Sequence, residues 1–319
     1  MKEFSAVQYI KYKKIEGFLS DISYSGKFYQ LFKNGSFIFR GHASNKYKLI
    51  PTALRPDLKK QLNKFALGYD ESQEDLEYFQ IMKEYNILRE FYKKCDRHGL
   101  VIENVDRIRS TFLDKIDLPT MVTSEVWLPK DLWALASLAQ HYGLPTRLLD
   151  WTHDIFVALF FAIENYLEGK EVPANTEHIV LWALNLNLLT MPNVMDLPLK
   201  LVQPIYHGNE NLKAQQGLFT LWQVKKGVGF KNYNIEVDMK TKVNRNPLDQ
   251  LILDLEIKQD EIEEPYLYAF MLPRDSAKGL YSYLKCIGYD ASRIYPGYNG
   301  VVKSLLHDSF LNSEAISKS

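Results

Sequence analysis

Apolar residues recur every three or four positions over much of the first third of the chain, a pattern typical of helices with one buried face. A short stripe at Ile15, Phe18, Leu19 and Ile22 predicts an amphipathic helix near the N-terminus. A longer region, residues 57–115, keeps the same spacing at Leu76, Phe79, Met82, Tyr85 and Leu88. We therefore predict a helical segment near residues 57–117.

Two helices are predicted on either side of a polar segment. The first runs from Pro129 to Gln140, with proline in its first turn. Gly143 and Pro145, which follow it, prevent the helix from continuing. The second covers residues 155–168 and is capped by Asp154. Because the second is apolar on nearly all sides, we expect it to lie at the centre of the core.

Short runs of β-branched and aromatic residues predict strands at 36–42, 178–184, 217–222 and 266–273. Helices are predicted at 276–287, capped by Asp275, and at 300–310, and residues 192–204 have the composition of a loop. Strands and helical blocks without regular βαβ alternation favour an α+β fold. The prediction is one mixed domain over residues 1–311, with a central sheet of short strands, buried helices and the 57–117 segment, followed by a flexible tail at 312–319.

Composition and charge exclude several classes of protein. The 319 residues have a formal net charge of zero, which argues against electrostatic binding of nucleic acid by the whole surface but allows a local basic patch. The two cysteines lack any Cys/His spacing for zinc and fit a reducing cytosol. No signal peptide and no apolar run long enough for a membrane span is present, so we expect a cytoplasmic protein without a membrane partner or a metal.

Residues 138–152, LAQHYGLPTRLLDWT, crowd polar and charged side chains between the two central helices. Burying such groups is costly unless they pair with each other or with a ligand. The segment is therefore either a hydrogen-bonded structural corner or a binding site. The common dinucleotide, P-loop, nucleophile-elbow and HExxH motifs do not occur in the chain.

Four segments resemble the FRG domain family, which takes its name from a Phe-Arg-Gly tripeptide. They are residues 39–41 with Tyr47, Leu49, Pro51 and Arg55; residues 138–151, the most specific block; residues 214–220; and residues 294–300. At the last block the family often has Asp where this chain has Asn299. The resemblance spans about residues 18–306 and implies a bacterial toxin or phage-defence effector.

A strand that ends in Phe-Arg-Gly also resembles the first motif of ADP-ribosyltransferases. That resemblance implies NAD as substrate, with Arg40 holding its pyrophosphate and Gln216 near the reacting ribose. The reaction would yield an ADP-ribosylated target or hydrolysed NAD. If a carboxylate is required, Glu210 lies near the third block.

Each candidate residue has a structural alternative. Arg40 suits bidentate binding of an anion, with Gly41 allowing close approach of a ligand, or it is a buried arginine paired with an acid such as Asp150. His141 is a general base or a hydrogen-bond donor to a ribose, or it caps the helix. Tyr142 stacks on a base or nicotinamide ring, or it belongs to the core.

The remaining candidates follow the same division. Thr146 and Arg147 bind phosphate, or Arg147 and Asp150 form an internal ion pair. Trp151 is predicted to anchor the core with its indole N–H satisfied. Gln216 orients the ribose or bonds to backbone at a strand start. The candidate catalytic residues are His141 and Gln216, and the candidate cofactor-binding residues are Arg40, Gly41, Tyr142, Thr146 and Arg147.

The first functional hypothesis is an NAD- or nucleotide-binding, ADP-ribosyltransferase-like enzyme, either a transferase or an NAD glycohydrolase. Its partners would be a nucleotide or other small-molecule ligand and a macromolecular target. The alternatives are a non-catalytic module that binds nucleotide or nucleic acid, and an interaction protein in which the signature only builds the core.

Overall fold

The computed structural model describes residues 5–64, 75–102, 108–109, 126–190, 197–225, 241–255 and 264–316. These residues form a mixed seven-stranded sheet flanked by helices, which confirms the predicted α+β fold. Most of the predicted 57–117 segment is described and contains the helices Lys59–Asn63 and Glu77–Arg97, as predicted. Its residues 65–74, 103–107 and 110–117, together with residues 191–196 and 317–319, lie outside the described residues. Within the described residues, no helix has the length and apolarity needed to cross a membrane.

The strands are short, as the sequence predicts. Their bounds are β1 Val7–Lys11, β2 Phe37–His42, β3 Val126–Trp127, β4 Leu148–Thr152, β5 His178–Asn185, β6 Leu199–Val202, β7 Gly217–Trp222, β8 Val224–Lys225 and β9 Leu267–Pro273. The main sheet has the order β1-β9-β5-β2-β4-β7-β6, and β3 pairs with β8 in a separate ribbon.

The helices flank this sheet. Their bounds are α1 Ile15–Ile22, α2 Tyr29–Phe32, α3 Lys59–Asn63, α4 Glu77–Arg97, α5 Trp133–His141, α6 Ile155–Leu167, α7 Glu210–Ala214, α8 Leu248–Leu253, α9 Ala277–Cys286, α10 Ala291–Ile294 and α11 Tyr298–Ile316. Short 3-10 turns at Thr52–Leu54, Pro56–Leu58, Lys130–Leu132, Leu186–Thr190 and Arg274–Ser276 join or extend them.

The main sheet is nearly divided at its centre. β2 pairs with β5 along its whole length, and β4 pairs with β7 along its whole length. Between β2 and β4, however, the register contains one partner pair, Phe39 opposite Thr152. Beyond that pair the two strands separate, which opens the sheet beside Arg40.

Helix α6 packs closely across β2, as its apolar sequence predicts. Asp154 caps it, with a carboxylate oxygen that accepts from the backbone N–H of Phe156 at 2.8 Å. The close approach depends on Gly41, because a Cβ at this position would lie 1.9 Å from the carbonyl oxygen of Ala158. This packing by itself requires glycine in the tripeptide.

Several predicted boundaries are wrong. Residues 148–152 form strand β4 rather than a corner between two helices, and residues 199–202 form strand β6 within a predicted loop. Strand β1 was not predicted, Asp275 does not cap α9, and α11 continues to Ile316. Of the missed strands, β1 and β6 are short and lie at the edges of the main sheet, where apolar alternation is weak. Strand β4 follows a glycine-proline loop that resembles a helix end.

Candidate functional site

A cavity of about 540 Å³ opens where β2 and β4 separate. Its size lies within the range of about 300–1,000 Å³ that is typical of small-molecule sites. The lining includes two residues of the Phe-Arg-Gly strand, Arg40 and Gly41, and the end of α5, with Gln140, His141 and Tyr142. Asp150 completes the charged part of the wall, so the cavity joins two of the segments on which the resemblance rests.

Arg40 bridges the gap in the sheet. Its Nη1 donates to the backbone carbonyl oxygen of Asp150 at 2.7 Å and to the Asp150 carboxylate at 3.3 Å. Its Nε donates to Nε2 of His42 at 3.0 Å. Burial and the nearby Arg40 and Arg55 charges drive the pKa of His42 well below 6.5, so the imidazole is neutral and can accept this bond. The guanidinium is therefore held at a fixed position in the cavity wall.

Asp150 is the carboxylate of the cavity. Its side chain is 52% exposed, although it accepts from Arg40 and from Nε2 of Gln140 at 3.1 Å. Thr146 orients Gln140, because its hydroxyl donates to the Gln140 side-chain oxygen at 2.7 Å and so turns the amide nitrogen toward Asp150. The predicted alternative for Arg40, a pair with Asp150, is thus present in the structure.

His141 and Tyr142 lie at the end of α5 on the cavity wall. Burial lowers the pKa of His141 below 6.5, and the Asp150 charge opposes this shift only in part. The ring is consequently neutral near pH 7 and able to accept a proton. Tyr142 is 69% exposed, so the alternative in which it belongs to the core is wrong.

Arg147 does not reach the cavity. It is 3% exposed, and its guanidinium contacts Glu84 at 3.0 Å and Glu77 at 2.6 Å, both on α4. Burial alone would lower the pKa of Arg147, but the two carboxylates raise it. The expected ion pair with Asp150 is therefore replaced by one with α4, and Arg147 does not line the cavity beside Arg40. Thr146 is also buried and acts on the cavity through Gln140.

The third matching segment, residues 214–220, contributes to the cavity a residue other than the one predicted. Gln216 is exposed, with a φ of 46°, and does not line the cavity; its carbonyl oxygen accepts from the backbone of His153. Its neighbour Gln215 does line the cavity, as does Asn211 from α7. Glu210 carries a side chain that is 70% exposed and faces Lys213 at 3.8 Å, away from the cavity.

Three residues of the cavity region were missed or misread in the sequence. Gln140, near the end of α5, and Gln215, just after α7, belong to the matching blocks, but only the tertiary fold brings both to the same cavity. Tyr295, from the last block, also lines the cavity, whereas Asn299 lies exposed on α11. Trp151 is buried and donates from its indole nitrogen to Thr220 at 2.8 Å, which confirms its predicted core role.

The described side chains provide a cationic group, a carboxylate and a neutral imidazole within one cavity. The guanidinium of Arg40 can bind an anion, the Asp150 carboxylate can stabilise developing positive charge, and His141 can accept a proton. Among the described residues, no group of three or more His, Cys, Asp or Glu side chains is arranged to hold a metal ion.

The fold and site define an α+β protein with a largely apolar cavity, at a break in its sheet, that carries a few charged and polar groups. Residues 35–171 match the model of the FRG domain family, and this match confirms the predicted FRG domain over those residues. The matched range includes β2, α5 and β4, which supply most of the charged wall of the cavity. Comparison with curated proteins and with solved structures finds no match to this chain.

Proposed function

We propose that the cavity binds NAD or a closely related nucleotide, and that the protein cleaves its nicotinamide–ribose bond. The ADP-ribose is transferred either to water or to an acceptor group. The observation that carries the proposal is the fixed Arg40 guanidinium beside the accessible Asp150 carboxylate, at the break in the sheet. The resemblance of the strand that ends in Phe39-Arg40-Gly41 to the first motif of ADP-ribosyltransferases agrees with this assignment but is only an analogy.

The chemistry requires little covalent participation by the protein. The bond between the ribose carbon and the nicotinamide nitrogen breaks, and the electron pair leaves with nicotinamide. The ribose carbon then bonds to an oxygen of water or of the acceptor, and that oxygen loses its proton. The protein contributes mainly position and charge.

Four side chains have distinct roles in this scheme. Arg40 binds a phosphoryl oxygen and orients the ligand. Asp150 stabilises the positive charge that develops on the ribose, since its carboxylate is held beside the cavity. His141, neutral near pH 7 because burial lowers its pKa, receives the proton of the attacking oxygen. Tyr142, exposed at the rim, offers a ring for stacking on nicotinamide.

The test is nicotinamide release by the purified full chain incubated with NAD. We expect release in the wild type, an increase in melting temperature with NAD, and loss of both in Arg40→Ala. Absence of release together with no thermal shift at about 1 mM NAD, the upper end of usual KM values, would overturn the proposal. If nicotinamide release is observed, expression in a bacterial host tests the toxin or phage-defence setting. Expression of the wild type should deplete the NAD of the cell, and expression of Arg40→Ala should not.

A non-catalytic nucleotide-binding module is the second candidate. It is favoured by one observation: Asp150 is already paired with Arg40 and Gln140 rather than left as an unpartnered base. This alternative predicts NAD binding that depends on Arg40 without any nicotinamide release. His141→Ala would then leave the binding constant unchanged.

A further inference from the structure

A second cavity, of about 520 Å³, also borders the Arg40–Gly41 strand segment. It shares Arg40, Gly41 and Phe161 with the first cavity, so the two spaces adjoin along one wall. Each has a volume typical of a site for one small molecule. A ligand with two bulky halves joined by a short linker would place the linker beside Arg40.

The second cavity is strongly cationic. Among the described residues, four cations line it, against a single carboxylate from Asp57; they are Arg40, Arg55, Lys46 and Lys48. The chain as a whole has a formal net charge of zero, so the positive charge here is a local concentration. A concave surface lined by one sign of charge focuses its field and attracts ligands of the opposite sign.

Arg55 is the best placed of these cations. It is half-buried, and its Nε donates to the backbone carbonyl oxygen of Ile50 at 3.0 Å, which fixes the direction of the guanidinium. Among the described residues, no carboxylate forms an ion pair with Arg55, Lys46 or Lys48. Fixed guanidinium nitrogens without an acidic partner are suited to the oxygens of a phosphoryl group.

The two arginines also lie near each other and near His42, since all three line this cavity. Burial lowers the pKa of His42, and the charges of Arg40 and Arg55 lower it further. The Arg55 charge also contributes to the lowered pKa of Arg40, after burial. The neutral His42 cannot compensate two like charges, and Asp150 pairs with Arg40 alone. An anion between the two guanidinium groups would relieve this repulsion.

We propose that the second cavity binds the phosphoryl-bearing half of the same small ligand, so that the two cavities form one cleft for a dinucleotide. The assignment rests on the proposed function for the identity of the other half. Arg40 and Arg55 bind the phosphoryl oxygens, and Lys46 and Lys48 lie at the mouth, where both are exposed. Tyr47, also at this wall, offers an aromatic face for the base at that end.

The experiment compares the binding of ADP, nicotinamide riboside and NAD to the purified full chain by calorimetry. We expect Arg55→Gln to weaken ADP and NAD binding by about ten- to a hundredfold, the usual effect of a lost hydrogen bond to a charged group. Binding of nicotinamide riboside, which has no phosphate, should not change. Equal affinities of the wild type and Arg55→Gln for ADP would overturn the proposal.

A second variant keeps the test valid if Arg55→Gln does not fold. Lys46→Gln/Lys48→Gln changes two exposed side chains, and the matched control Lys13→Gln/Lys14→Gln removes the same charge from exposed neighbours outside both cavities. The first pair should weaken ADP binding and reduce its dependence on salt, and the control should do neither. Identical ADP affinities for the two double variants would contradict the proposal.

The outcomes separate this inference from the proposed function. ADP binding that depends on Arg55, without nicotinamide release from NAD, supports the phosphoryl site and overturns the proposed activity. Binding of a single-stranded oligonucleotide through Lys46 and Lys48, without measurable binding of ADP, overturns the inference in favour of a nucleic-acid contact.

Discussion

Arg40 and Asp150 hold each other across the break between β2 and β4 through two contacts of one guanidinium nitrogen, one to the backbone and one to the carboxylate. The backbone contact, at 2.7 Å, takes the place of a strand-to-strand hydrogen bond that the separated strands cannot make. The carboxylate contact is longer, 3.3 Å, and leaves Asp150 half exposed. The pair therefore closes the sheet and at the same time presents both charges to the cavity.

The charge of Asp150 can be tested apart from its structural role. Asp150→Asn keeps the backbone carbonyl that accepts from Arg40 and removes only the negative charge. If the carboxylate stabilises the ribose cation, nicotinamide release should fall by about 10²–10⁴-fold, a range typical of a lost catalytic group. The melting temperature should fall only modestly, because the Asp150 carboxylate is half exposed and the Arg40 contact with the Asp150 backbone remains. An unchanged rate of release would exclude a catalytic role for Asp150.

Gln215 and Gln216 offer a matched pair of substitutions. Gln215 lines the cavity and Gln216 is exposed outside it. We expect Gln215→Ala to weaken NAD binding by up to about tenfold, the effect of one ordinary hydrogen bond, and Gln216→Ala to leave the dissociation constant unchanged. Titration of both variants by calorimetry distinguishes the two positions. A larger effect on NAD binding of Gln216→Ala than of Gln215→Ala would support the ligand-site role predicted for Gln216 from the sequence.

The contrast between these two glutamines illustrates what local sequence can predict. The third block was found by its composition, and strand β7 begins at Gly217 as predicted. Which of two adjacent side chains enters a cavity depends on a backbone φ of 46° at Gln216, which composition does not predict. The predicted helix α6 and its Asp154 cap were correct because both depend on contacts within a few residues.

The partner of Arg147 shows the opposite case. Glu84 lies 63 residues earlier in the chain, so only the tertiary fold brings the two together. From sequence, Asp150 was the nearest acid and the natural choice. Strand β4 was missed for a related reason: its pairing with β7 joins residues about 70 apart, and the alternation of Leu149 and Trp151 into the core becomes visible only in that pairing.

Arg147 is expected to stabilise the fold and not to bind ligand. Arg147→Ala leaves Glu77 and Glu84 buried without their cation, which should cost about 3–5 kcal/mol of unfolding free energy. Chemical denaturation measures this loss, with Lys93→Ala, at an exposed pair with Glu90, as a control that changes stability by less than about 1 kcal/mol. Adding Glu77→Gln and Glu84→Gln should recover part of the loss. If Arg147→Ala keeps the stability of the wild type but binds NAD more weakly, Arg147 acts in ligand binding and not in stabilising the fold.

Gly41 is expected to act through packing. In Gly41→Ala, the new Cβ would lie 1.9 Å from the carbonyl oxygen of Ala158 and 2.6 Å from the backbone nitrogen of Ala162, so α6 must move. We expect a loss of at least about 1–3 kcal/mol of unfolding free energy, measured by denaturation. Gly279→Ala is the control, because a Cβ there meets open space within a helix and should stabilise it by about 0.5–1 kcal/mol. Equal stabilities of wild type and Gly41→Ala would refute the packing argument.

His307 is expected to make stability depend on pH. It is 1% exposed between Phe160 and Tyr281, and no described residue hydrogen-bonds to either ring nitrogen. Burial and then Lys303 lower its pKa, against the opposing charges of Glu164, Glu168 and Asp308. In the unfolded chain the ordinary value is 6.5, so below about pH 6.5 the unfolded state binds a proton that the folded state does not. Stability should consequently fall as the pH falls from about 6.5 toward the lowered pKa.

His307→Leu should remove this part of the pH dependence. His42, His141 and His153 also have lowered pKa values and act with the same sign, so some loss of stability in acid will remain. The variant should therefore lose less unfolding free energy than the wild type between pH 6.5 and 5, by at most about 1.4 kcal/mol per pH unit, the effect of one proton. Denaturation curves at several pH values measure the difference, with exposed His98→Gln as the control. Parallel stability–pH curves for wild type and His307→Leu would mean that His307 takes up its proton equally in the folded and unfolded states.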